Sequence, residues 1–163
     1  MFENVQSQLN SLGDVNVVGV ATNQSDFYGK YLYETASPTP AAKGVWDITG
    51  AGWSPDWYGT SAVSFFNPLY SSPGGFPPNG GSNFGYFSDP TVNADIKQAL
   101  AQTSESAADP FWAKADEAVM SAAAIYPITS DLEFAVHASY VHNAVYLPVT
   151  QQFDAANVWL STP

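Results

Sequence analysis

Residues 15–21 restrict the fold more than any other stretch. They read VNVVGVA, a nearly continuous apolar, β-branched run from Val15 to Ala21. A run of this kind is how a strand covered on both faces reads, and such strands belong to sheets with helices packed above and below. The flanking sequence supports that arrangement. Phe2, Val5, Leu9 and Leu12 recur at helical spacing, and Gly13 supplies a C-cap before the run begins. Ser25 is placed to N-cap a second helix carrying Phe27, Tyr28, Tyr31 and Leu32. After the Pro-rich loop SPTPAAKG, the segment VWDITGAGW predicts a second strand that starts near Val45 and ends at a Gly-rich turn. Two strands joined through a helix predict a parallel unit with a right-handed crossover. The expected class is therefore α/β, with helices around a mixed, partly parallel sheet.

The remainder divides at clear punctuation. Residues 71–90 form a Gly/Pro/Asn-rich loop containing Phe76, Phe84, Tyr86 and Phe87. Loops of this length in a compact domain are functional or mobile, and aromatic residues in them need a surface to pack on. Asp89-Pro90 and Asp109-Pro110 each set a capping acid before a Pro at the first helical position. The first helix carries Val92, Ile96 and Leu100. The second carries Phe111, Ala115, Ala118, Val119 and Ala122 and is expected to stop at Pro127. LEFAVHASYVHNAVYL then has β character, and the tail QQFDAANVWLSTP closes the chain.

Charge narrows the functions open to the chain. Net charge is −11, the only cations are Lys30, Lys43, Lys97 and Lys114, and Arg is absent. A nucleic-acid surface needs a basic stripe, and docking on an anionic membrane needs a basic patch, so both classes are disfavoured. Without an Arg fork, a neutral or cationic ligand is easier to hold than an anion. The chain has no Cys, which excludes disulfides, thiolate catalysis and Cys-based metal sites. No apolar run reaches membrane-span length and no signal peptide opens the chain. If the parent protein is exported, the chain is expected to be a mature fragment.

The main chemical constellation is WDITGAGWSPDWYG, residues 46–59. In open α/β sheets, ligands sit beyond the carboxyl ends of strands. A turn there bearing Trp53, Asp56, Trp57 and Tyr58 offers aromatic walls and one acid for a cationic or hydroxylated ligand. The same Asp56, following Ser-Pro, also fits an ordinary cap or turn. Asp47 reads as structural. His137 and His142 lie on a predicted strand at a spacing that puts them on opposite faces, so no metal is expected between them. Asp47 with Asp56 is a drawable carboxylate pair, but nothing in the spacing fixes the separation a glycosidase needs. No G-x-S-x-G elbow or phosphate loop is present. No catalytic residue and no cofactor are assigned.

Four stretches in order resemble the C-terminal region of family 5 extracellular solute-binding proteins, the dipeptide-, oligopeptide- and nickel-binding proteins of bacterial ABC importers. They are FENVQSQLNSLGDVNVVGV, WDITGAGWSPDWYG, SNFGYFSDPTVNADIKQAL and DPFWAKADEAVMSAAAIYPI. The resemblance implies a periplasmic-binding-protein-like lobe of type II over residues 1–147. It also implies a tail, 148–163, that returns to a missing first lobe, so the tail is expected to be poorly docked or to pack on a neighbouring copy. By motif position Asp56 would pair with the amino terminus of a peptide ligand and Trp53 would line the same pocket. Trp57, Tyr58 and Asn83 of the Asn-aromatic loop complete the expected ligand-binding set. The aromatic continuation Trp57-Tyr58-Gly59 departs from the more polar one in many members and admits an oligosaccharide ligand instead.

The function so implied is solute capture outside the cell or in the periplasm, tethered to the membrane as a full-length protein and read by an ABC permease. An exposed cleft face is expected to favour self-association of this half. A secreted carbohydrate-active enzyme or accessory module is the competing reading, suggested by the aromatic content and scattered carboxylates. A third is an adhesive surface domain.

Overall fold

The computed structural model describes residues 2–33, 46–54, 61–75, 82–128, 134–148 and 150–162. Its organising unit is a pair of helices. Helix α5 (Pro90–Leu100) opens on Asp89, whose carboxylate accepts from the backbone N–H groups of Thr91 and Val92 at 2.7 and 3.0 Å. Pro90 occupies the first helical position, where its missing N–H has no intrahelical partner to lose. Helix α6 (Glu105–Ser121) starts earlier than its Asp109-Pro110 pair predicts. Ser104 is the N-cap, its hydroxyl accepting from the Ala107 N–H at 3.3 Å, and Pro110 lies inside the helix. The early start buries Ala108 and offsets the bond that Pro110 cannot donate. Val92 and Ile96 of α5 pack on Ala115 and Val119 of α6, and Tyr70 closes the cluster. Ala115 is small enough to let the helices approach closely.

Helix α3 (Ser61–Tyr70) lies across this pair and brings aromatic mass. Phe66 stacks on Trp112 at 5.7 Å between ring centroids, and Phe65 and Phe66 both lean on Tyr70. The short helix α4 (Ser72–Gly75) is pinned to α5 by a reciprocal pair: the Ser72 N–H donates to Asn93 Oδ1 at 3.0 Å, and Asn93 Nδ2 donates to Ser72 Oγ at 2.7 Å. A methyl group on Gly75 would sit 2.9 Å from the Pro68 carbonyl oxygen, so this close crossing requires glycine.

The first fifty residues depart from expectation in an instructive way. Helix α1 (Phe2–Ser11) forms as its periodicity predicts, and Gly13 follows at φ +81°. The second helical segment is capped by Asn23, two residues before the predicted Ser25; helix α2 (Gln24–Asp26) runs straight into a π-helical turn, Phe27–Leu32. The VNVVGVA run is extended but pairs with no strand among the described residues. Side-chain amides take the place of a neighbouring strand: Asn10 Oδ1 accepts from the Val17 N–H, while Asn10 Nδ2 and Gln6 Nε2 both donate to the Val17 carbonyl. Val18 is 72% exposed and Ile48 71% exposed. Trp46 to Ser54 likewise carries no strand pairing. Among the described residues no parallel pair is present, so the lobe architecture rests on the sequence resemblance alone.

The pairing that does form is antiparallel and lies near the end of the chain. Strand β1 (Val141–His142) pairs with β4 (Trp159–Leu160), and β2 (Tyr146–Leu147) pairs with β3 (Gln152–Phe153) nested inside it. Further bonds extend the ribbon: the Asp154 N–H donates to the Val145 carbonyl and the Ser161 N–H to the Tyr140 carbonyl, both at 2.9 Å. The tail beyond residue 147 therefore folds back on the residues just before it. Among the described residues, no helix is long and apolar enough to cross a membrane.

Two consequences are measurable. Helix α6 ends well before Pro127, in a Schellman motif: the Ala124 N–H donates to the Val119 carbonyl and the Ala123 N–H to the Met120 carbonyl. Ala123 holds φ +52°, a left-handed conformation that glycine adopts without strain. Ala123→Gly is expected to raise the free energy of unfolding by about 1 kcal/mol in urea titration. Tyr70 is buried, and burial, then the charge of Asp116, pushes its hydroxyl from 10.0 up to about 12. Neutral Tyr70 thus contributes stability that is intact below pH 10 and is lost as pH climbs through 12. Across that window Tyr70→Phe should remove a decline of about 2 kcal/mol, read from thermal melts at stepped pH.

Candidate functional site

The segment carrying the predicted turn is held at both ends by indole N–H groups. Trp46 Nε1 donates to the Tyr31 carbonyl at 3.1 Å, tying the segment to the π-helical turn. Trp53 Nε1 donates to the Ser64 carbonyl at 2.8 Å, tying it to α3. Trp53 is half-buried, so one part of its ring packs and the rest faces outward. Asp47 is exposed at the edge of the segment. Asp56, Trp57 and Tyr58 lie outside the described residues.

Asn83, expected in the ligand-binding set, closes the loop that carries it. It is 1% exposed. Its Oδ1 accepts from the Phe87 N–H at 2.9 Å and its Nδ2 donates to the Phe87 carbonyl at 2.7 Å. The amide therefore satisfies both polar groups of one backbone residue and closes the turn that contains Tyr86 at φ 55°. That closure sets two aromatic side chains of the loop. Phe84 meets Tyr33 edge-on at 5.0 Å, and Phe87 meets Tyr70 edge-on at 6.2 Å. Through these bonds Asn83 serves the loop's own fold. Phe76 lies outside the described residues.

The strongest candidate pocket forms where the residue after Trp53 meets the C-terminal ribbon. Ser54 Oγ donates to Gln151 Oε1 at 3.1 Å, a contact spanning 97 positions of sequence. Beside it is a cavity of about 510 Å³ whose polar lining is Ser54, Thr150, Gln152 and Asp154, with Leu147 and Phe153 supplying apolar wall. It is a half-open depression that would cover one side of a ligand. Asp154 is fixed in place: its N–H is tied to Val145, and its Oδ1 accepts from the Ala156 N–H at 3.0 Å. Thr150 Oγ1 is buried with no hydrogen-bond partner. A buried hydroxyl left unpaired costs about 1–3 kcal/mol, which a ligand accepting or donating there would recover.

The chemistry on offer is recognition. Hydroxyl and amide groups suit a ligand with its own hydroxyls or amides, and the Asp154 carboxylate suits an amine. Among the described residues, no cationic side chain lines the cavity. Glycoside hydrolysis would need two carboxyl groups about 5–10 Å apart, and the described lining holds one. His137 packs edge-on against Phe153 at 6.0 Å and its Nδ1 lies 3.0 Å from the Ala138 carbonyl oxygen. Among the described residues, no group of three or more His, Asp or Glu side chains is placed to hold a metal ion.

Of the predicted site residues, Trp53 is not part of the cavity lining, although its neighbour Ser54 is, and Asn83 is bonded to Phe87 within its own loop. Thr150, Gln152 and Asp154 belong to a polar tail with no motif; only the long-range contact through Gln151 reveals them. Comparison of the chain with protein-family models, with curated proteins and with solved structures gives no match.

The role of Asn83 predicts its own test. Asn83→Ala would leave the Phe87 N–H and carbonyl unpaired in a buried setting. It should lower unfolding free energy by about 2–4 kcal/mol in urea titration.

Proposed function

We propose that the chain contributes a binding surface for a small solute bearing an amine or hydroxyls, as the C-terminal part of a solute-binding protein serving an importer. One observation carries the reading: Ser54, next to Trp53 and two residues before Asp56, meets the Thr150–Asp154 end of the ribbon at a cavity of about 510 Å³. The four stretches that resemble family 5 binding proteins supply the biological setting. In that setting the ligand is enclosed between two lobes, outside the cell or in the periplasm, and a permease reads the closed form. This chain provides one wall, so its own affinity is weak. No covalent step is part of the proposal: the described polar lining, one carboxylate, two hydroxyls and an amide, is a set suited to orienting a solute.

Titration calorimetry with a panel of dipeptides and neutral oligosaccharides tests it. Asp154→Asn keeps the acceptor that bonds Ala156 and removes the charge; it should weaken amine-bearing ligands about tenfold, since hydrogen bonds to charged groups contribute about 1.5–3 kcal/mol. Thr150→Val removes the unpaired hydroxyl; it should raise stability by about 1 kcal/mol while weakening ligand binding. Absence of binding across the whole panel, or unaltered affinity in both variants, would overturn the assignment.

A further inference from the structure

The β1–β4 pair presents two unlike faces. Its register sets His142 opposite Trp159 and Val141 opposite Leu160. Because strand side chains alternate, Tyr140 and Ser161, joined by the Ser161 N–H bond to the Tyr140 carbonyl, share the face of His142 and Trp159. On that face the His142 and Trp159 rings stack at 4.0 Å between centroids and 19° between planes. Ser161 Oγ lies 3.0 Å from His142 Nε2, so the imidazole is held by the indole on one side and the hydroxyl at its edge. Trp159 remains 55% exposed and Tyr140 40% exposed. The result is a planar aromatic surface, pre-oriented by its neighbours and framed by a phenol, a serine hydroxyl and an imidazole.

We propose that this face binds one neutral pyranose ring of an oligosaccharide, at a site separate from the cavity beside Ser54. A pyranose has an apolar face of C–H groups that lies flat on an indole and a rim of hydroxyls that reaches side-chain donors and acceptors. His142 covers one side of the indole and is bonded to Ser161, so the pyranose ring would lie on the opposite, open side of Trp159, with Tyr140 exposed on the same face of the ribbon. The charge of the chain argues for a neutral ring: with net charge −11 and no Arg, a phosphorylated or carboxylated ring meets repulsion and finds no fork to hold it. The Ser161–His142 contact invites a nucleophilic reading, but among the described contacts no carboxylate orients the imidazole, and its ring is stacked against Trp159. The surface holds and does not cut. It shares no residue with the cavity and is independent of the importer reading.

The test uses the full chain, isotopically labelled, titrated with cellohexaose and with maltohexaose while amide and indole N–H signals are followed by NMR. At least one sugar should shift the Trp159 indole signal saturably with a dissociation constant on the order of 1 mM, leaving the amide signals of residues 150–155 in place. Trp159→Ala should weaken binding about tenfold or more, whereas Trp159→Phe, which keeps a stacking ring, should stay within about threefold of the parent. If Trp159→Ala disrupts the ribbon, Trp159→Phe and the parent titration decide the matter. No saturable shift with either sugar, or an equal shift in the Ala variant, overturns the proposal. So does binding that moves only the cavity residues.

Discussion

The contact between α5 and α6 organises the helical part of this protein. Val92, Ile96, Ala115 and Val119 are almost wholly removed from water, and the burial of such side chains is worth about 1.5–3 kcal/mol for each large one. The two helices can approach because the contact includes alanines, and they are held in register by caps at their starts. On this platform Tyr70 and the aromatic side chains of α3 build a second layer. Trp112 serves both, since it lies on the same face of α6 as Ala115 and Val119 and its ring stacks on Phe66. Without the pair, neither α3 nor the Gly-rich loop would have a surface to lie on.

The platform reaches the candidate site through a chain of specific bonds. Asn93 fixes α4, Gly75 permits the tight crossing over Pro68, and Asn83 closes the loop that sets Phe84 and Phe87. Trp53 is bonded to α3 by its indole N–H, and Ser54 then extends to Gln151 on the ribbon. The cavity lies at the end of this path, where helical packing gives way to a short antiparallel ribbon. Its polar groups have few competing partners there, which is why a buried hydroxyl such as Thr150 can stand unpaired.

The apolar extended segments behave differently. Val18, Ile48 and Val136 expose most of their side chains, with Val136 at 88%. Strands are stabilised by neighbours, and an isolated extended run has neither ladder bonds nor a covering layer. Asn10 and Gln6 bond the backbone at Val17, but side-chain amides cannot bury the valines. These segments retain the composition of covered strands without the cover, a mismatch that favours association with other apolar surface.

Local signals hold at Asp89 and along α1, where no distant partner is needed, while the cap of the second helical segment falls on Asn23 instead of Ser25. Asp89-Pro90 starts a helix because the carboxylate and the ring act within one turn, and the spacing of Phe2, Val5 and Leu9 produces α1 because a helix satisfies its own backbone. Signals that depend on competition were misread. Asp109-Pro110 loses to Ser104, whose earlier start buries Ala108, and the bonds between Asn83 and Phe87 emerge only once the loop closes. What the sequence determined alone is helices α1 and α5, the presence of α6, the negative charge that disfavours anionic partners, and the β character of the apolar runs, whereas α3 and the short α4 inside the Gly-rich stretch carry no signal that was legible in it. What tertiary structure decided is which of those runs found a partner, and that Thr150 and Asp154 meet Ser54. Strand pairing and cavity lining are contacts between residues far apart in the chain, and no short-range pattern encodes them.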